Sequence, residues 1–356
     1  MATNRQTGRI EVHRAIAPLA PDWDELADRT GAAPFTRPGW LEAWWRAFGD
    51  GLGRLEVRAI RREGRLAGVL PLVRRRGLLG STTNDWMSAY DPPVEDADAA
   101  GALAGAAFAS GPRRVELRHL HVGHPVRAAC RAAAAARGYR LVDGPAERAP
   151  YVDLSGGWED YRAGRDRKLL SELRRRRRRL EEQGTLSLDV EDGSERLAEL
   201  LEEGFALEAA AWKGQAGTAI VSDPATLRLY REGAEWASRR GILRLAFLRL
   251  DGRPLAFDYC LEEGRVHYLL KIGYDPAFRK YGPGVIMRHD MLHRAFAAGL
   301  ERYEFLGVDM PFKLEWTQAV WEQPWLRAFA PSLPGAVDRL QFTRLRPRMK
   351  RIVGRS

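Results

Sequence analysis

Cysteine is scarce: Cys130 and Cys260 are the only two in 356 residues, far apart and outside any C-x-x-C spacing. That excludes a disulfide framework and a zinc ribbon, and leaves both thiols as small core residues. Long apolar runs are missing too. The most alanine-rich stretch, residues 101–138, is broken by Arg113, Arg114, Arg127 and Arg131. A spanning helix needs about 18 or more uninterrupted apolar residues, so none is expected. Residues 1–14 lack both the apolar core and the small-residue cleavage site of a secretory signal, and the expected location is the cytoplasm. No nucleophile elbow, kinase signature or Walker loop occurs. Metal ligands are also wanting. His289 and His293 stand one helical turn apart, but Asp290 takes the place of the glutamate in H-E-x-x-H and no third ligand follows. His119, His121 and His124 follow a strand-like segment and read as loop or core histidines. No metal is expected.

What the chain does have is charge, 57 Lys and Arg against 47 Asp and Glu, a formal net of +10. Anionic partners are favoured, among them nucleic acid, a membrane surface and a polyphosphorylated cofactor. The length and the 45% hydrophobic content suffice for two domains.

A repeat divides the chain. Residues 53–65 align without gaps on residues 241–253, and each copy runs from an apolar strand into a Glu-Gly or Asp-Gly turn, Glu63-Gly64 and Asp251-Gly252. A second strand follows each turn, over residues 66–73 and 255–261. An amphipathic helical stretch precedes each hairpin, residues 39–48 with Trp40, Trp44 and Trp45, and residues 226–238 with Leu229, Tyr230 and Trp236. Duplication explains both matches; two unrelated α/β domains that share a hairpin are the alternative. Between the halves, residues 165–183 contain six consecutive arginines at 174–179. Leu169, Leu173 and Leu180 fall near one face and Gly184 offers a stop, so a basic helix is expected. Its arginines either face water or form a surface for a phosphate-rich ligand or an anionic membrane.

The segment richest in chemistry is 265–317. Residues 266–272 read as a strand, Gly273-Tyr274-Asp275-Pro276 as a turn, and residues 285–298 as a helix. Between turn and helix lies Arg279-Lys280-Tyr281-Gly282-Pro283-Gly284. A glycine-bracketed loop running into a helix N-terminus offers backbone N–H groups and the positive end of the dipole to a pyrophosphate. Gly282 and Gly284 allow close approach, and Arg279 and Lys280 add charge.

The spacing Arg279-x-x-Gly282-x-Gly284 resembles the acyl-CoA loop of the GNAT superfamily. The longer string from Gly273 to Gly284 is similar to the acetyltransferase domain of the CelD/BcsL cellulose-biosynthesis group. So are Glu208-x-x-x-Trp212-Lys213-Gly-x-x-Gly217 and Leu306-Gly-Val-Asp309-Met-Pro-Phe-Lys313-x-x-Trp316. The tandem plan also resembles the FemABX aminoacyltransferases, which draw on aminoacyl-tRNA and generally lack a clear CoA loop.

The resemblance implies an α/β fold of mixed sheets in two tandem GNAT-like domains. Residues 1–150 form the first, without CoA; 151–184 form the basic connection; 185–356 form the second, with the CoA loop. It implies acyl transfer, acetyl-CoA being the expected co-substrate, to an amine or hydroxyl on a small molecule or glycan, near polysaccharide or cell-envelope synthesis. The alternatives are an aminoacyl-tRNA-dependent transferase and a non-catalytic binding protein. Leu270 and Ile272 would orient the thioester, and Arg279, Lys280, Tyr281, Gly282, Gly284 and Val285 would hold the phosphates. Glu304 and Asp309 are candidates for the base, Tyr274 and Tyr281 for the acid. Glu304 reads equally as a solvent-facing strand residue. Lys313 could hold a phosphate or polarise the carbonyl, or simply lie at the surface beside Trp316. Glu208, Trp212 and Lys213 would line the acceptor site, although Glu208 and Trp212 also suit a helical i, i+4 pair.

Overall fold

The computed structural model describes residues 8–84, 89–210 and 219–345. The strands are β1 (Arg9–His13), β2 (Arg54–Arg62), β3 (Arg65–Arg75), β4 (Leu78–Ser81), β5 (Arg114–Leu117), β6 (Arg140–Asp153), β7 (Leu186–Glu191), β8 (Leu243–Leu250), β9 (Arg253–Glu263), β10 (Val266–Tyr274), β11 (Arg302–Glu304) and β12 (Val320–Phe329). Two compact units result, residues 1–147 with 322–356, and residues 148–321. The chain leaves the first unit within β6 and returns to it within β12.

In the first unit the strand order is β1-β2-β3-β4-β5-β12, and in the second β7-β8-β9-β10-β11-β6. Each of these sets is antiparallel except at one step, β4 with β5 and β10 with β11, which run parallel. Mixed α/β architecture is therefore present twice. The final strand of each set comes from the other half of the sequence: β12 pairs with β5, and β6 with β11.

The repeated hairpins agree in backbone detail. Glu63 and Gly64 have φ of 50° and 82°, Asp251 and Gly252 of 47° and 82°. Both central residues are left-handed, as a two-residue turn matching the strand twist requires. Each hairpin also carries a register shift at the same place, between Ile60 and Arg61 and between Leu248 and Arg249. The helices expected before them are Pro38–Phe48 and Pro224–Arg239. Cys130 and Cys260 are buried, each within the core of its own unit.

The arginine helix spans Arg167–Glu181, begun by Asp166, whose side chain accepts the Lys168 N–H. Leu173 and Leu180 are its buried residues and dock it onto the second core. One local expectation is corrected. β10 continues through Gly273 to Tyr274, where a turn was expected. Gly273 serves close packing: a Cβ there would stand 2.5 Å from the Glu208 N of the helix Leu197–Ala210. The turn signal of Asp275-Pro276 is used instead to start a 3-10 helix, Pro276–Tyr281, with Asp275 accepting the Ala277 N–H.

Candidate active site

The site is built where β10 and β11 part. They pair in parallel over three positions, ending at Tyr268 opposite Glu304. Beyond Tyr268, β10 runs on to Tyr274 with no ladder partner on that side among the described residues. On its other side it pairs with β9, except that Leu270 is the extra residue of a bulge between Leu269 and Lys271. A bulge leaves a residue outside the ladder and turns its backbone groups away from the neighbouring strand. Leu270 and Ile272, both half-buried, thus lie along an open strand edge able to hold an extended ligand by main-chain hydrogen bonds.

β10 leads through the 3-10 turn to the helix Pro283–Ala297. Its N-cap is Gly282, in left-handed geometry at φ 61°; no side chain caps the end and no acid lies in the first turn. Pro283 has no N–H, and the Val285 and Ile286 N–H groups both turn back to the Gly282 carbonyl, at 3.0 and 3.2 Å. Gly284 is exposed, and a Cβ there would meet nothing within 4 Å. The Gly284 N–H has no backbone acceptor among the described residues, and the dipole lies behind it. Arg279 and Lys280 are exposed beside it, and Tyr281 is buried under the turn with the Lys280 ammonium 4.9 Å from its ring centroid.

The arginine helix closes this end. A Cβ at Gly282 would stand 2.6 Å from Arg176 Nη1, and the Arg179 guanidinium lies 5.9 Å from the Tyr281 ring centroid. Arg177 is ion-paired with Asp290. Burial opposes ionisation of the Asp290 carboxyl, but His289 and Arg177 outweigh it and hold that carboxyl below its usual range. A cavity of about 520 Å³ opens here, lined by Arg165, Lys168, Glu172, Arg176, Val285 and Glu315, among others. Burial pushes the Glu315 carboxyl up, against the pull of Arg176.

Register settles which faces the other candidates occupy. Tyr268 opposes Leu261 and Gly273 opposes Phe257, and residues four apart on β9 share a face. Glu304, opposite Tyr268, is accordingly on the face that Gly273 presents to Glu208. Tyr303 points to the other face, where it bonds Arg288 of the helix Pro283–Ala297; Arg288 in turn holds Asp258 at 3.0 Å. Both faces are covered, so Glu304 is only 5% exposed and is no solvent-facing strand residue. Its Oε1 accepts the Trp321 indole N–H at 3.0 Å and sits 2.5 Å from Arg302 Nε, while Trp321 stacks on Tyr151.

Other candidates are placed differently. Asp309 pairs with Arg148 at 2.9 Å. Lys313 is buried, donating to the carbonyls of Leu306 and of Val308, the latter at 2.9 Å. It braces the corner after β11, where Leu306 and Gly307 both have positive φ. Tyr274 ends β10, half-buried. Glu208 is fully buried and accepts the Ile220 N–H at 2.9 Å. Trp212 and Lys213 lie outside the described residues. Sequence reasoning did not find Arg176, Trp321 or Arg302; only the arginine run gave any signal.

The corresponding place in the first unit is built oppositely. The helix Ala97–Ala109 is capped by Asp96, which accepts the Ala99 N–H at 2.7 Å, and carries Asp98 in its first turn. Carboxylates already satisfy that positive end and would repel a phosphate.

Residues 167–314 match the family model described as an acetyltransferase (GNAT) domain. Among solved structures, the chain is similar to FemX, at 13% identity over 88% of this chain and 96% of that one, with a TM-score of 0.56. It is similar to L-PGS from Bacillus licheniformis, at 14% identity over 91% and 96%, TM-score 0.55. A conserved protein of unknown function from Bacteroides thetaiotaomicron is also similar, at 11% identity over 90% and 100%, TM-score 0.56. At such identities the likeness is one of fold. No curated protein matches the sequence. The match to the acetyltransferase (GNAT) domain thus falls within the second unit.

Proposed function

We propose that the second unit transfers an acyl group, acetyl in the simplest case, from acyl-CoA directly to an amine or hydroxyl acceptor such as a sugar. The observation that carries this reading is the contrast between the two units. One helix after the fourth strand of its unit is capped by Asp96; the other starts at Gly282 uncapped, beside Arg176, Arg279 and Lys280. In this reading the pyrophosphate takes the Gly284 N–H and those cations, and the thioester lies along β10 at Leu270 and Ile272. Acyl-CoA supplies the activated thioester. The acceptor's lone pair attacks the thioester carbon, the acceptor proton passes to Glu304, and the C–S bond breaks. The leaving thiolate takes a proton from water. Lys313 acts as a positioning residue through the Leu306 and Val308 carbonyls, and Glu208 by fixing the chain at Ile220.

Thiol release from acetyl-CoA, measured across a panel of amino sugars and polyols, tests the reading. Acceptor-dependent release supports it; none with any acceptor, in a protein that binds CoA, would leave binding without transfer. A second reading, transfer from aminoacyl-tRNA, is favoured by the arginine helix. Arg174 and Arg178 are exposed there, and Arg174 has no acidic partner among the described residues.

A further inference from the structure

The helix Leu333–Leu340 in the first unit is anchored on one side and bare on the other. Asp338 receives the Arg113 Nε at 2.8 Å, and Gly335 is buried so close to the chain that a Cβ would stand 2.3 Å from the Ala330 carbonyl oxygen. Phe342, one turn on, lies beside Phe329 with ring centroids 6.2 Å apart. At about 100° per residue these three positions fall on one face. Leu333, Ala336, Val337 and Leu340 fall on the opposite face, and all are exposed: Leu333 is 85% exposed, Val337 51% and Leu340 49%. Single exposed aliphatic residues are ordinary. Three large ones aligned on the solvent side of one short helix invert the usual pattern and mark a surface that something covers.

The surrounding sequence indicates what covers it. Residues 339–356 contain seven lysines and arginines and no aspartate or glutamate. Nucleic acid would account for the cations and leave the aliphatic face unexplained. A protein groove would account for the aliphatic face and leave a run of like charge without a partner. An anionic bilayer answers both, since its acyl boundary takes the apolar stripe and its headgroups take the cations. We infer that Leu333–Leu340 is an interfacial docking element, with Leu333, Val337 and Leu340 entering the surface of a membrane whose anionic headgroups suit the basic sequence that follows. This inference is independent of the acyl-transfer reading and of the arginine run at 174–179, which belongs to the other unit.

The test uses the full chain, freed of nucleic acid by nuclease and floated with phosphatidylcholine vesicles that contain or lack roughly one-third phosphatidylglycerol. The wild-type chain is expected to float with the anionic vesicles only and to be released by salt. The variant L333S/V337S/L340S should partition at least ~10-fold less, while melting like wild type because all three side chains are exposed. The variant R348Q/K350Q/R351Q should weaken binding as well, which keeps the test decisive should the first variant fold poorly. Equal flotation with neutral and anionic vesicles would overturn the inference, as would binding unaffected by either variant. So would a wild-type dimer that the apolar variant converts to monomer without any vesicle binding, since a second copy would then be the occupant.

Discussion

The guanidinium of Arg176 rests on the left-handed Gly282, so that a Cβ on the glycine would stand 2.6 Å from Nη1 and 3.1 Å from Cδ. An arginine more than a hundred residues upstream thereby joins the loop that starts the helix Pro283–Ala297. Arg176→Ala should weaken CoA binding about fivefold, less than a buried charge-assisted bond because the side chain is partly exposed. Gly282→Ala must add strain at φ 61° of about 1 kcal/mol and displace Arg176, so both stability and affinity should fall. Calorimetric titration with CoA and thermal melting of both variants check this.

Glu304→Gln keeps the acceptor for the Trp321 indole but removes the base. In the proposed reaction kcat should drop by about 100-fold or more while the KM for acyl-CoA changes little. A loss confined to KM would assign Glu304 to binding.

The arginine helix makes a different prediction. Its exposed arginines should bind tRNA only weakly, with affinity falling steeply as salt rises, because each phosphate contact releases a counterion. Gel-shift titrations over a salt series measure the slope. Tight binding that depends on the aminoacyl group would put the aminoacyl-tRNA reading first.

Acid should destabilise the first unit through Glu56. Burial opposes ionisation of this carboxyl, but Arg74 and Arg58 outweigh it and hold it down to about 2. A carboxyl lowered on folding stabilises the protein above its unfolded value near 4.3, and that contribution is lost as pH falls toward 2. Its ceiling is about 3 kcal/mol at ~1.4 kcal/mol per unit. Thermal melts between those limits should show a fall in the first unit's transition that Glu56→Gln flattens.

Local chemistry made much of this legible in the sequence. The Glu63-Gly64 and Asp251-Gly252 turns announced the hairpins because only certain residues tolerate two successive positive φ values, and the leucines of the arginine helix marked its buried face. Long-range packing was silent. Alternation along β11 puts Glu304 opposite Tyr303, which on a one-sided sheet would mean solvent, but helices cover both faces here. Gly273 carries the same letter whether it makes a turn or admits a helix backbone. The contact of Arg176 with Gly282 and the exchange of β6 and β12 between units depend on tertiary pairing that no local window contains.

The proposed reaction requires one pyrophosphate cradle, at Gly282–Gly284. Titration of the wild-type chain and of Gly284→Val with CoA tests it most directly. Gly284 has open space around its Cβ position, so the variant should melt within a few degrees of wild type. One CoA per chain is expected, with at least ~10-fold weaker binding for Gly284→Val, as the branched side chain would stand where the backbone N–H meets the phosphate. Two CoA per chain, or unchanged affinity in a normally folded Gly284→Val variant, would contradict it.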